Sequence, residues 1–288
     1  MAANAAIVEA APAKVNLYLH VTGKRADGYH LLDSLVVMAG IGDQISAKPS
    51  SDLSLDYIGR FAQDLPPATS NLVLRAAERL KDLFDVKEGA ALTLNKSLPV
   101  ASGIGGGSAD AAATLRALCK LWDLDATHPS VAELALSLGA DVPVCLLGRS
   151  AIMRGIGEDI SPVDHLPPLN LILVNPGVEV STPAVFKARA GAFSPIIELP
   201  SDFATAAAFH TFLHTTGNDL EAPAIGLQPV IGDVLEALRA LPGVALARMS
   251  GSGATCFGIM EDGDAARVGA AALSAAHPTW WVQPTSAK

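Results

Sequence analysis

The sequence predicts an α+β fold. Its start is rich in strands, later segments mix strands with helices, and the two do not alternate as regularly as a doubly wound sheet requires. At about 150 residues per domain, 288 residues suggest two domains or one large one. Pro167-Pro168 is the best boundary signal, giving domains over 1–166 and 167–288.

The strand-rich start is read from alternation. Ala13, Val15, Leu17, Leu19 and Val21 fall on one face over 13–21; Lys14, Asn16, Tyr18 and His20 fall on the other. A period of two predicts a strand with one buried face. Gly23 to Gly28 supply turn chemistry, and 31–38, 43–48 and 53–58 read as further strands. Asn71 opens a helix with Leu72, Ala76, Leu80 and Leu83 on one stripe, and 90–96 is a strand. The loop 97–107 leads into a helix carrying Ala111, Leu115, Leu118, Cys119 and Trp122 at helical spacing, followed by a helix over 130–138. Beyond the double proline, 169–174 is a buried strand and 190–200 is irregular. Val230, Val234, Leu235, Leu238 and Leu241 mark a helix, 244–248 and 255–260 are strands, and a helix over 264–276 precedes a last short strand.

Composition excludes several classes of function. Half the residues are apolar and 17% are charged, so the chain has a core and is not disordered. A net charge of −9 without a basic run argues against nucleic-acid binding. The three cysteines, Cys119, Cys145 and Cys256, have neither disulfide nor zinc spacing. The start lacks a signal-peptide pattern and no apolar run approaches the ~18 residues of a membrane span. A cytoplasmic protein with reduced thiols is expected, with no membrane partner.

The strongest local feature is the stretch from Leu98 to Asp110. Four glycines, Gly103, Gly105, Gly106 and Gly107, fall within five positions ahead of a helix. Without Cβ atoms, successive N–H groups can point at one cluster of oxygens, and the helix N-terminus adds partial positive charge. Ser108 can cap the helix or reach a phosphate or Mg²⁺. No lysine follows the last glycine, so this is not a Walker A loop, and Ser108 stands where a dinucleotide fingerprint needs glycine. The competing reading is a flexible turn with Ser108 as N-cap. The turn Ser250-Gly251-Ser252-Gly253 is explained equally well as a hairpin connection. Lys14 and Asn16 share a strand face with Cα atoms about 7 Å apart, as on any solvated face. Asp141, two residues before Pro143, reads first as a helix N-cap, a role compatible with facing a cleft. Tyr29 and Phe186 could each stack on a flat ligand, and His30 has no partner at metal-binding spacing.

Three segments together resemble the GHMP kinases, named for galactokinase, homoserine kinase, mevalonate kinase and phosphomevalonate kinase. They are Pro12-Ala13-Lys14-Val15-Asn16-Leu17, the loop Pro99 to Ser108, and Met249-Ser250-Gly251-Ser252-Gly253-Ala254, in the family's order. Thr22 to Leu32, Leu138 to Val144, Asn175-Pro176-Gly177 and Thr182-Pro183 resemble one branch of it. The resemblance implies a two-domain fold with the active site in the interdomain cleft. It implies ATP-dependent phosphorylation, with Mg²⁺, of the 2-hydroxyl of cytidine diphosphate-linked methylerythritol, in the non-mevalonate route to isoprenoid precursors. By position, Lys14 and Asp141 match the catalytic pair, and Asn16 a residue near the reacting hydroxyl. Tyr29 and Phe186 match an aromatic pair around cytosine, His30 a contact to the base, and Thr182 a substrate-side residue. Lys96 matches a nucleotide-side residue, and Pro99, Val100, Ala101, Ser102, Gly103, Ile104, Gly105, Gly106, Gly107, Ser108 and Ala109 the ATP loop. Two departures stand out: Ala109-Asp110 where family loops often read Ser-Asn, and Ala101-Ser102 where many members carry glycines. No metal-binding carboxylate is assigned. The alternatives are a kinase of the same family acting on another alcohol, such as homoserine or mevalonate, and a non-catalytic nucleotide sensor. Asp27-Gly28-Tyr29-His30 speaks against the first, and retention of Lys14 and Asp141 against the second.

Overall fold

In the computed structural model, which describes residues 6–287, the chain divides into two units, and each draws on separated segments. The first comprises residues up to Ala13, Ile41–Val100 and Gly105–Gly148; the second comprises Lys14–Gly40, Ala101–Ile104 and the chain from Arg149 on. Two long strands, β1 (Ile7–Lys24) and β2 (His30–Ser50), contribute to both.

In the first unit, Gln44–Ser50 of β2 pair antiparallel with β4 (Gly89–Asn95), and β4 pairs parallel with β3 (Leu53–Ile58). Four helices accompany them: α1 (Leu72–Leu83), α2 (Gly106–Leu121), α3 (Pro129–Leu138) and α4 (Val142–Leu147). Asn71 caps α1 as the sequence indicated, its Oδ1 accepting from the Val73 N–H at 2.9 Å. The buried stripe is shifted, however: Val73, Leu74, Ala76, Ala77 and Leu80 face inward, while Leu83 is 44% exposed. Alanines let α2 be buried on most of its circumference, with Ala109, Ala111, Ala112, Ala113 and Ala117 all inside. Alanine gives up no side-chain entropy in a helix and allows close neighbours.

The strands expected over 31–38 and 43–48 are one. Gly42 does not break β2; a Cβ there would stand 2.3 Å from the Ala11 carbonyl oxygen. The glycine marks a place where the backbone of β1 comes close, as glycine within a strand often does.

In the second unit the strand order is β10 (Trp281–Ala287), β7 (Leu169–Asn175), β9 (Cys256–Met260), β8 (Val244–Met249), all antiparallel. Ala287 of β10 pairs with Ala39 of β2. A hairpin of β5 (Ala151–Gly155) and β6 (Asp159–Pro162) pairs with Leu32–Val36. Two helices predicted from periodicity, α8 (Val230–Arg239) and α9 (Gly263–Ala276), cover the sheet, burying Ile231, Val234, Leu235, Leu238 and Leu273 against Ile172, Val174 and Met260. Three shorter helices went unread: α5 (Thr182–Ala188), α6 (Ala206–His214) and α7 (Glu221–Leu227).

The stretch 190–200 is irregular, as expected, yet it is tethered. Ser194 N–H donates to the Val21 carbonyl at 3.0 Å, and His20 Nδ1 to the Pro195 carbonyl at 3.1 Å. Ile197 N–H donates to Asp33 Oδ2 at 2.7 Å.

Candidate active site

In the second unit the three sequence motifs come together through their backbones. Lys14 N–H donates to the Ile104 carbonyl at 2.9 Å, and Thr255 N–H to the Ser102 carbonyl at 3.1 Å. Ser250 Oγ accepts from Asn16 N–H at 3.1 Å and donates to the Gly103 carbonyl at 3.3 Å. The two glycine turns touch closely enough to exclude side chains. A Cβ on Gly103 would stand 2.4 Å from the Gly253 oxygen, and one on Gly251 2.7 Å from the Gly103 oxygen; both residues also have positive φ. The second turn therefore does more than connect β8 to β9. It seats the first.

The face of β1 that alternation left to solvent is buried: Lys14 is 3% exposed, and Asn16 and Tyr18 are inaccessible. Neighbouring segments supply polar partners there. Lys14 Nζ donates to Asn16 Oδ1 at 2.7 Å, Asn16 Nδ2 to Ser34 Oγ at 2.8 Å, and Ser34 Oγ to the Tyr18 carbonyl at 2.5 Å. This chain fixes which way the Asn16 amide points. Beside it lies Asp33, a fully buried carboxylate that accepts from Arg154 Nε at 2.8 Å. Burial and the Asp33 charge raise the Tyr18 hydroxyl far above the usual phenol range.

The base-side candidates are also in this unit. His30 and Phe186 stack with ring centroids 4.9 Å apart at 20°, while Tyr29 is 61% exposed on the adjoining turn. Burial, with Lys24 and Arg189 nearby, keeps the His30 imidazole below its ordinary pKa, favouring the neutral ring. Thr182 Oγ1 and Ser252 Oγ are 2.7 Å apart, joining the start of α5 to the second glycine turn.

In the first unit, α2 begins at Gly106 with Gly105 as N-cap in the left-handed region, φ 66°. Ser108 lies inside the first turn, so it is not the cap. The helical ladder starts with the Ala109 N–H donating to the Gly105 carbonyl at 2.8 Å, leaving the N–H groups of Gly106, Gly107 and Ser108 outside it. A Cβ on Gly107 would meet nothing within 4 Å. Open space thus lies beside an N-terminus whose partial charge suits an anion. Ile104 and Ala109 are core side chains, so any contact they make to a nucleotide comes from their backbone. Ala101 sits at φ 50°, a left-handed conformation that glycine takes without cost.

Lys96 lies under this turn at 2% exposure. Its Nζ donates to Asp43 Oδ2 at 2.6 Å and to Asp110 Oδ2 at 2.7 Å. Burial alone would depress the ammonium's pKa, but the Asp110 and Asp43 carboxylates outweigh it and raise it. Burial pushes the Asp110 carboxyl up to about 7, against the pull of Lys96 and with the push of Asp43. Asp141 occupies the N-cap position of α4, but its side chain makes no capping hydrogen bond.

Sequence reasoning missed Asp43, Ser34, Asp33 and Arg154, and saw Asp110 only as a departure from a pattern. The available signal was a charged residue inside each of several apolar strands, since a buried charge requires partners.

Comparison with known proteins follows the same lines. Residues 71–149 match the GHMP kinases N terminal domain and residues 201–279 the GHMP kinases C terminal domain. A 4-diphosphocytidyl-2-C-methyl-D-erythritol kinase of Paramagnetospirillum magneticum is 52% identical, covering 95% of this chain and 96% of that protein. The same-named protein of Ruegeria pomeroyi is 55% identical over 96% and 97% of the two chains. Among solved structures, a 4-(cytidine 5′-diphospho)-2C-methyl-D-erythritol kinase superposes with a TM-score of 0.78 at 36% identity, covering 97% and 98%. A homoserine kinase from Cytophaga hutchinsonii shares the fold, with a TM-score of 0.69 at 20% identity over 100% and 96% of the two chains.

Proposed function

This chain belongs to the GHMP kinase family, and from that membership we infer that it phosphorylates 4-diphosphocytidyl-2-C-methyl-D-erythritol with ATP, at the 2-hydroxyl, in the non-mevalonate route to isoprenoid precursors. The observation that carries this reading is near-full-length identity above 50% to kinases of that name. The joining of the three family motifs by hydrogen bonds supports it.

Phosphoryl transfer is mostly positioning and charge stabilisation. The loop Pro99–Ala109 would receive the ATP phosphates on backbone N–H groups at the start of α2. Among the described residues, no group of three His, Cys, Asp or Glu side chains is placed to hold a metal. Mg²⁺ carried on ATP suits such a site, because phosphate and water oxygens make up most of its coordination. It would offset phosphate charge.

Asp141 would accept the proton of the reacting hydroxyl or orient that hydroxyl, and Lys14 would favour its alkoxide character. Asn16, held in one orientation by Ser34, would keep Lys14 in place and face the hydroxyl. Tyr29 and Phe186 would sandwich cytosine, with His30 beside the base and Thr182 on the substrate side. Neutral His30, already stacked on Phe186, would have to yield part of that ring face or extend the stack. Cys119, Cys145 and Cys256 are buried thiols outside any disulfide among the described residues, which supports a cytoplasmic location. Among the described residues no helix is long and apolar enough to cross a membrane.

The test is ADP release over a panel of alcohols. Turnover is expected with the cytidine diphosphate-linked methylerythritol and little with homoserine, mevalonate or galactose. A higher kcat/KM for any of the last three would overturn the substrate assignment.

A further inference from the structure

We propose that Lys96, Asp43 and Asp110 are positioning residues that set the span of the ATP loop, and that Lys96 serves the nucleotide through the loop rather than by touching it. The proposal rests on the reading above that ATP binds at this loop.

Each end of the loop is tied to the same buried group. At the entry, Asp43 Oδ1 accepts from the Ser97 N–H at 2.6 Å and the Leu98 N–H at 2.8 Å. At the exit, Asp110 belongs to the opening turns of α2. Lys96 joins the two carboxylates, at 2.6 and 2.7 Å. Residues 99–107 therefore close between points fixed by one charge cluster rather than by loop contacts alone.

The ammonium is buried and held between two carboxylates. Its side chain is 3% exposed. Two of its hydrogen bonds go to carboxylates, and an ideal Cβ on Gly106 would stand only 3.2 Å from Nζ, so the backbone of Gly106 covers a third direction. To reach a phosphate, Lys96 would have to leave a buried carboxylate without its counter-charge, which is strongly unfavourable. The glycine at 106 has a reason of its own here: it lets the helix start settle onto the ammonium. Asp110 Oδ1 is buried without a hydrogen-bond partner. Asp110 contributes little that a neutral acceptor at the same place could not, so the role asked of it is a hydrogen bond at a fixed point rather than a charge.

The test compares Asp110→Leu with Asp110→Asn, reading ATP affinity by calorimetry and KM for the alcohol separately. Asp110→Leu cuts the tie to α2, and displacement of a binding loop by about 1 Å can cost up to about 100-fold. We expect ATP affinity to fall about ten- to hundredfold, with KM for the alcohol within about twofold. Asp110→Asn keeps an acceptor for Lys96 and should recover most of the loss. If Lys96 contacts phosphate directly, Asp110→Leu instead frees the ammonium and ATP binds more tightly, which overturns the proposal; unchanged ATP affinity does so too. An equal loss for both ligands would point to general damage and also counts against it. Amide exchange in the unaltered protein supplies a measurement independent of folding of the variants. Ser97 and Leu98 N–H should be protected before ATP is added, and exchange there as fast as in an open loop overturns the brace. Gly107→Val separates this from the underlying reading. If it leaves ATP affinity intact, the loop is not the ATP site; if it weakens ATP while Asp110→Leu does not, only the brace is wrong.

Discussion

Asp141 is the residue proposed above as the base, and it stands at the N-cap position of α4. Its side chain makes no capping hydrogen bond there, so the cap reading of the sequence is not what distinguishes the proposed role. Asp141→Asn keeps the shape and removes the basic oxygen. A general base typically contributes about 10²–10⁴-fold, and kcat should fall within that range while ATP and alcohol affinities are kept. Lys14→Met should act in the same direction. Single-turnover kinetics on folded variants reads both; near-normal turnover for Asp141→Asn would remove it as the base. At this scale the sequence was informative about identity and poor about environment. The two-residue spacing of Lys14 and Asn16 placed them on one strand face. What covers that face could not be read from β1, because Ser34 and Ser250, which bond to Asn16, lie 18 and 234 residues away in the chain.

The glycine turns are the element that joins local sequence to site. Their glycines answer two separate demands, and substitutions should split accordingly. At Gly103, positive φ and a Cβ position 2.4 Å from the Gly253 oxygen make any side chain both strained and crowded. Left-handed backbone alone costs about 1–2 kcal/mol for an L-residue, so Gly103→Ala should lower unfolding free energy by at least about that amount in urea titration. At Gly107 a Cβ meets open space. Gly107→Val should therefore cost little stability, about the propensity difference of a helix terminus and under about 1 kcal/mol, while lowering ATP affinity through steric exclusion. Equal stability losses at the two positions would contradict this division. The run of glycines was legible as a turn that leads into the start of α2. The part some of them play in seating the two turns was not, since that requires knowing that residues about 150 positions apart touch. The same limit hid the continuity of β2, where Gly42 is a close approach to β1. Helices α5 and α7 are seven residues long, too short for a 3.6-residue period to declare itself. Long amphipathic helices such as α8 and α9 did declare themselves.

For the molecule as a whole, the Lys96 cluster makes a distinctive prediction about stability against pH. Asp110 has an ordinary carboxyl pKa of 3.8 when unfolded and one of about 7 when folded, raised first by burial and then by Asp43, against the pull of Lys96. Between those values the folded chain binds the extra proton, so this group's contribution to stability falls as pH rises through the window from about 4 to about 7. It is fully present below the lower value and lost above the upper. Lys96 does not counter this slope, because its pKa is raised above that of ordinary lysine and its own contribution is lost only at higher pH. His30 titrates in the opposite sense, its folded pKa lying below the unfolded one, so the absolute profile mixes both. The difference between the unaltered protein and Asp110→Asn isolates Asp110. Asparagine cannot ionise, and it leaves Lys96 and Asp43 as a one-to-one pair. The variant should match the unaltered protein near pH 4.5 and become progressively more stable relative to it up to about pH 8, by on the order of a few kcal/mol at most. Urea midpoints taken across that range supply the measurement. If the unaltered protein instead gains on the variant as pH rises, the Asp110 carboxylate is favoured as an ion in the folded state. The attraction of Lys96 then outweighs both its burial and the repulsion of Asp43.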